Sequence, residues 1–175
     1  PILSTLTELA LPIMASSFLA TAYNITDMAW IGMLGSKAVA GVGVGGMYVW
    51  LSQGLCSLSR MGGQVNMAQA LGRKDREASI RYADVALQLT ILFGLFFTAL
   101  CLLFTDPLLH FFNLTDPEAY ASARVYMLIT CGLILLPYLT QTLTGLYTAQ
   151  GDSKTPLKAN FLGLVLNMVL DPVLI

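Results

Sequence analysis

Val85-Ala86-Leu87-Gln88-Leu89-Thr90-Ile91-Leu92-Phe93-Gly94-Leu95-Phe96-Phe97-Thr98-Ala99-Leu100-Cys101-Leu102-Leu103-Phe104 runs without a single charged side chain. That is the length of a membrane helix, which needs about 20 predominantly apolar residues. β-Barrel strands are ruled out, since they would show about 10 residues of alternating polarity. Four further stretches of the same kind flank it. The five spans run approximately over 6–34, 38–58, 85–104, 120–147 and 156–175, the last cut short by the end of the chain. Gly35 follows the first span and Gly151 the fourth, while Pro107 and Pro156 stand near breaks, the usual punctuation of helix ends.

Composition agrees. Of 175 residues 56% are hydrophobic and 11% charged, against roughly 25% charge in soluble domains, and mean hydropathy is +0.71. So little polar surface could not cover a soluble fold. The expected class is an all-α integral membrane protein. The net charge of −1 leaves no nucleic-acid footprint. Cys56, Cys101 and Cys131 are odd in number and set in apolar runs, so they read as small buried hydrophobes rather than disulfides or metal ligands.

Basic residues set the expected orientation. Arg60, Arg73, Lys74, Arg76 and Arg81 lie between spans two and three, and Lys154 and Lys158 between spans four and five. The opposite side holds only Lys37 and Arg124, beside Asp106, Asp116 and Glu118. Seven against two puts 60–81 and 148–158 in the cytoplasm of a cell membrane, with the N-terminus inside. The charged run Leu71–Glu77 is expected to lie against anionic headgroups. The chain starts at Pro1 and stops in an apolar run at Ile175, which suggests a piece of a longer polytopic protein.

Ionisable groups deep in a span are costly, about 2.5–3.5 kcal/mol at the bilayer centre on insertion scales, and point to function. Two carboxylates qualify. Asp27 sits two turns before the outer end of span one. Asp171 lies 15 residues beyond Pro156, about 22 Å at 1.5 Å per residue. Spans one and five run in the same direction, so the two acids fall at similar depth. Tyr23 with Asp27, and Asn167 with Asp171, are each four apart and share a helix face. Low dielectric disfavours charged carboxylates. A neighbouring pair therefore takes up a proton as a coupled unit or binds a small hard cation through oxygen ligands. The reading assumes no Lys or Arg within a span to neutralise them. Pro12 in span one, Pro137 in span four and Pro172 are each a static kink or a hinge.

Other matches carry less. Gly41, Gly43 and Gly46 satisfy a dinucleotide-binding pattern, but no soluble strand precedes them and no acid follows at the right distance. Gly41 and Gly45 instead form a G-x-x-x-G that permits close helix packing. Asn24-Ile25-Thr26 and Asn113-Leu114-Thr115 match glycosylation acceptors, the first inside a span. His110 is the sole histidine and reads as a surface residue, so no catalytic constellation is expected and the protein is not read as an enzyme.

Several segments, in order along the chain, resemble the multidrug and toxic compound extrusion (MATE) family. They are Ala10-Leu11-Pro12, Asp27 through Gly35, Ala38-Val39-Ala40, Gly63-Gln64-Val65, Ala68 through Arg73, Gln150 through Pro156, and Asn167 through Pro172. Asp27 with Asn167 and Asp171 resembles the prokaryotic DinF-like branch. The resemblance implies twelve helices in two six-helix bundles around a V-shaped cavity, with this chain supplying about five helices of the N-terminal bundle. It implies that Asp27, Asn167 and Asp171 couple H⁺ or Na⁺ to transport and, in a sodium-driven protein, ligate the Na⁺. It further implies that Pro12 bends helix one, and that Tyr23, Asn24 and Tyr126 face the substrate cavity. The expected activity is alternating-access export of organic cations, with no cofactor beyond the coupling ion. The expected partners are amphipathic cationic substrates, the bilayer and the C-terminal half of the transporter. The alternative is a lipid-linked oligosaccharide flippase of the same superfamily, which would line its cavity with basic residues to hold pyrophosphate.

Overall fold

Small side chains recur at helical spacing along the second helix of the computed structural model. Gly41, Gly45, Ser52, Cys56, Ser59, Gly63, Met67 and Ala70 form its buried stripe. The structure describes the backbone of residues 2–33, 35–113 and 116–174, and side chains up to position 166 apart from 1–6, 8, 9, 12, 16, 34, 38, 114 and 115. Among the described residues there are seven helices and no strand. They are α1 (Ile2–Met33), α2 (Ser36–Gly72), α3 (Arg76–Leu103), α4 (Thr105–His110), α5 (Pro117–Gly132), α6 (Leu135–Ala149) and α7 (Lys154–Leu174).

The helices invert the layout of a soluble domain. Buried positions are mostly Gly, Ala, Ser, Thr and Cys, whereas Phe18 and Trp50 are 75% and 78% exposed. Lipid tails are as apolar as leucine, so helices associate there by close packing and interhelical hydrogen bonds rather than by hydrophobic burial. α2 is the central element and packs against α3, α5 and α6. A Cβ at Gly63 would come within 2.4 Å of the Ala86 Cβ on α3, and one at Gly41 within 2.9 Å of the Ala123 backbone nitrogen on α5. The Gly41/Gly45 pair thus does permit close packing, against α5.

Hydroxyl groups tie the same interfaces. The Tyr138 hydroxyl donates to the Ser52 carbonyl at 2.5 Å, and Thr98 donates to the Cys131 carbonyl at 2.9 Å. All three cysteines are buried and form no disulfide, in agreement with their reading as small core residues.

The helix outruns the expected span: span two is expected to end near Leu58, and α2 continues to Gly72. Between Arg60 and Gly72 the only charge is Arg60 itself, and the small-residue stripe runs on through Gly63, Met67 and Ala70. Only the cluster Arg73-Lys74-Asp75 ends the helix. Lys74 is left-handed, with φ 60°. The Asp75 N–H donates to Ala70 and the Lys74 N–H to Leu71, the Schellman pattern. Asp75 then caps α3 by accepting from the Ala78 N–H at 3.0 Å. The expected cytoplasmic loop 60–81 is therefore mostly helix.

Span four is two helices bent by 45°. Pro137 has no N–H to give the Leu133 carbonyl, which accepts instead from the Leu136 N–H at 3.0 Å. Pro137 therefore accounts for the break as a kink. Gly151 ends α6 at φ 83°. The Asp152 N–H donates to Tyr147 and the Gly151 N–H to Thr148, the same closing motif made with glycine. Among the described residues, α2 from Val39, α3, and the bent pair α5–α6 taken as one are long and apolar enough to cross a membrane. α1 and α7, at 32 and 21 residues, have the length of a span.

The charges expected on one side meet at one end of the bundle. Lys37 pairs with Glu118 at 2.6 Å and Asp116 at 3.1 Å. Arg124 pairs with Asp106 at 3.0 Å, which also accepts from the Tyr120 hydroxyl at 3.1 Å. His110 is exposed there beside the Tyr120 ring, with centroids 5.4 Å apart.

Candidate functional site

α1 and α7 pack mainly against each other, and two cavities lie along their seam. The first, about 400 Å³, is lined by Ala20, Tyr23, Thr140, Asn160, Gly163 and Leu164 among others. The second, about 270 Å³, is lined by Ser17, Arg60, Gln64, Thr144, Ser153 and Asn160 among others. Both touch Ala20 and Asn160. Positions 13–20 of α1 share a cavity with 153–160, and positions 19–23 share one with 159–164. The two helices therefore advance in the same direction, as expected for spans one and five.

The hydroxyls of α1 fold back on their own helix. Ser17 donates to Ile13, Thr21 to Ser17 and Thr26 to Ala22, at 2.9–3.0 Å, the usual resting state of such groups in a helix. Asp27, one turn beyond Tyr23, is half-buried. Tyr126 is held in place by Gly45, where a Cβ would come within 2.5 Å of the ring. Tyr23 thus lines a cavity, and Tyr126 and Asp27 lie within electrostatic reach of each other. Asn24 is exposed on the neighbouring face of α1 and belongs to neither cavity. Asn167 and Asp171 lie on the helical backbone of α7, but their side chains fall outside the described residues, as does that of Pro12. Among the described residues no group of three His, Cys, Asp or Glu could hold a metal ion. Two of the three residues expected to hold Na⁺ are outside that set.

One expectation changes: Arg60, expected in a loop, lies within α2, because the helix runs on to Gly72. Its aliphatic stem packs over Gly145, where a Cβ would meet Arg60 Cγ at 2.9 Å. Thr140, Thr144, Gln64 and Asn160 are further polar cavity residues that the sequence did not single out. The small-residue period continuing past Arg60 was the available signal.

Comparison with known proteins agrees with this architecture. The MatE family model matches residues 12–173. The chain belongs to the MATE family. It is 31% identical over 170 residues to the probable multidrug resistance protein NorM of Thermotoga maritima, covering 95% of this chain and 36% of that protein. Among solved structures it resembles a MATE transporter in complex with MaD3S (25% identity, TM-score 0.91, covering 97% of this chain and 38% of that one). It also resembles a MOP-superfamily transporter of Pyrococcus furiosus described as having a binding pocket of reverse polarity (25% identity, TM-score 0.90, 97% and 37%). The chain thus spans a little over a third of the length of the relatives it matches. It is an all-helical membrane bundle of the MATE transporter type.

Proposed function

We propose that this chain forms part of a cation-coupled exporter of organic cations, in which Asp27, with Asn167 and Asp171, takes up H⁺ or Na⁺. The observation that carries the reading is Asp27 itself, a half-buried carboxylate in the apolar length of α1. The register of α1 on α7 supports it. Ala20 and Asn160 share both cavities, and seven residues further along each helix come Asp27 and Asn167. Asp171 follows one turn later. The kinship with a probable multidrug resistance protein supports organic cations as cargo.

The chemistry follows from charge. An ionised carboxylate in low dielectric attracts an organic cation, and uptake of H⁺ or Na⁺ removes that attraction. Cargo then leaves outward, the bundles rock about the site, and the ion is released inward. The ion and the cargo thus compete for the same negative charge, which is what couples them. Pro12 on α1 supplies the bend through which neutralisation alters helix packing. The chain is read as a transporter and not as an enzyme, in the cell membrane with its N-terminus cytoplasmic.

A lipid-linked oligosaccharide flippase is the second reading, and Arg60 favours it as a basic side chain lining a cavity. Export by the full-length protein in proteoliposomes separates the two. Labelled organic cation should move under an imposed pH or Na⁺ gradient, and Asp27→Asn should abolish that movement while insertion stays normal. Undiminished export by Asp27→Asn would overturn the role of Asp27. Transport of a pyrophosphate-linked lipid but no organic cation would favour the flippase.

A further inference from the structure

We propose that the cavity between α1, α2, α6 and the start of α7 is a binding site for a phosphate oxyanion, held by Arg60. The inference does not depend on the transport reading above, because it concerns the opposite charge at a different level of the bundle. Arg60 lines this cavity of about 270 Å³. Its Nε is buried and has no hydrogen-bond partner among the described residues. No ion pair of Arg60 occurs among those residues either. A buried donor without an acceptor costs free energy, more so on a charged group, and an anion in the adjoining space would satisfy it.

The walls fit such a ligand. Among the described residues, none that lines it is acidic. The carboxamides of Gln64 and Asn160 offer further N–H donors, and the hydroxyls of Ser17, Thr144 and Ser153 line the same space. Ser17 and Thr144 give their hydroxyl protons to the Ile13 and Thr140 carbonyls, so the donors offered to an anion are those of Arg60 and Gln64 on α2 and Asn160 on α7. The N-terminus of α7 adds a positive dipole end. The guanidinium presents a planar fork of donors suited to phosphate. Gly145 makes room for its stem, since a Cβ there would meet Arg60 Cγ at 2.9 Å and Gln64 Oε1 at 3.3 Å.

Depth indicates where the phosphate comes from. Arg60 is 21 residues past Val39, where the apolar stretch of α2 begins, about 32 Å along the helix. That is one hydrocarbon thickness, about 30 Å, so Arg60 reaches headgroup level at the end carrying Arg73, Lys74, Arg76 and Lys154. A phospholipid headgroup and free inorganic phosphate present the same oxyanion there.

Two measurements on the full-length protein distinguish the sources. In detergent, thermal stability is titrated with inorganic phosphate against chloride at equal ionic strength. In parallel, native mass spectrometry counts phospholipid retained from vesicles of phosphatidylethanolamine and phosphatidylglycerol. A phosphate-specific shift identifies the free ion, and retained lipid identifies the headgroup. In whichever measurement responds, Arg60→Gln should weaken binding about tenfold or more, with Arg60→Lys intermediate because it keeps the charge and loses the fork. If Arg60→Gln does not fold, Gln64→Leu, which keeps the charge and removes a carboxamide donor, should weaken binding several-fold. No response of the unmodified protein in either measurement overturns the proposal. So does equal binding by Arg60→Gln, or by Gln64→Leu where that variant is the one tested.

Discussion

Gly45 on α2 packs against the ring of Tyr126 on α5, so close that a Cβ at 45 would lie 2.5 Å from Tyr126 Cδ1. The glycine therefore fixes where the tyrosine ring sits, and with it a hydroxyl within electrostatic reach of Asp27. Gly45→Ala should swing the ring about its χ1 rather than force the helices apart. The expected outcome is a several-fold loss of organic-cation export in proteoliposomes with a small change in thermal stability. Adding Tyr126→Ala should recover the stability and not the export. Unchanged export in Gly45→Ala would show that the position of this ring does not matter to transport.

Gly63 and Ala86 make the contrasting case. Here a Cβ at 63 would lie 2.4 Å from the Ala86 Cβ, and neither group can rotate away. Gly63→Ala should cost about 1–3 kcal/mol, the range for overpacking a close-packed interior. Ala86→Gly added to it should recover much of the loss, because the two residues are in direct contact and their effects are not additive. Chemical denaturation in mixed micelles measures both, and additive losses would mean that α2 and α3 do not meet at this pair.

What the sequence made legible followed from strong one-dimensional signals. Apolar runs gave the spans, Gly35 and Gly151 marked turns that do carry positive φ, and Asp27 declared itself by being a charge in an apolar stretch. The misreading of residues 60–72 has a physical cause. Gly62-Gly63-Gln64 and Asn66 look like loop in hydropathy, whereas their helical character is set by what α3 and α6 place against Gly63 and Met67. The same misreading hid Arg60, since a basic residue at the edge of an expected loop draws no attention. The bend in span four was visible in Pro137, but its angle depends on how Leu133 finds another donor. The seam between α1 and α7 joins residues about 140 positions apart, and no local pattern encodes that register.

Thr90 tests the polar side of helix association. Its hydroxyl lies 3.0 Å from Ser59 Oγ, 2.8 Å from Thr142 Oγ1 and 2.7 Å from the Ala86 carbonyl, linking α2, α3 and α6. Thr90→Val keeps the shape and removes the link. Interhelical hydrogen bonds in membranes average about 0.6 kcal/mol and reach about 1.7, so the loss should fall in that range and below that of Gly63→Ala. A loss larger than that of Gly63→Ala would reverse the ranking of packing over hydrogen bonding in this bundle.

Lys37 ties the α1–α2 corner to the start of α5, and its contribution should depend on pH in a defined direction. Glu118 and Asp116 beside it raise the Lys37 pKa. The Glu118 backbone N–H and Lys37 hold the Asp116 carboxyl below its usual value. A lowered Asp116 pKa means stabilisation that is present above the unfolded value of about 3.9, and that is lost as pH falls through the lower folded value. A raised Lys37 pKa means stabilisation fully present below about 10.4 and lost as pH rises through the higher folded value. The tie should therefore hold across neutral pH and open at both extremes. Lys37→Met should melt earlier than the unmodified protein at pH 7, and the gap should close once the pH is taken below the folded value of Asp116. All these groups are exposed, so added salt should narrow the gap as well. A gap that persists unchanged below the folded value of Asp116 would assign the effect of Lys37 to its methylene stem instead of its charge.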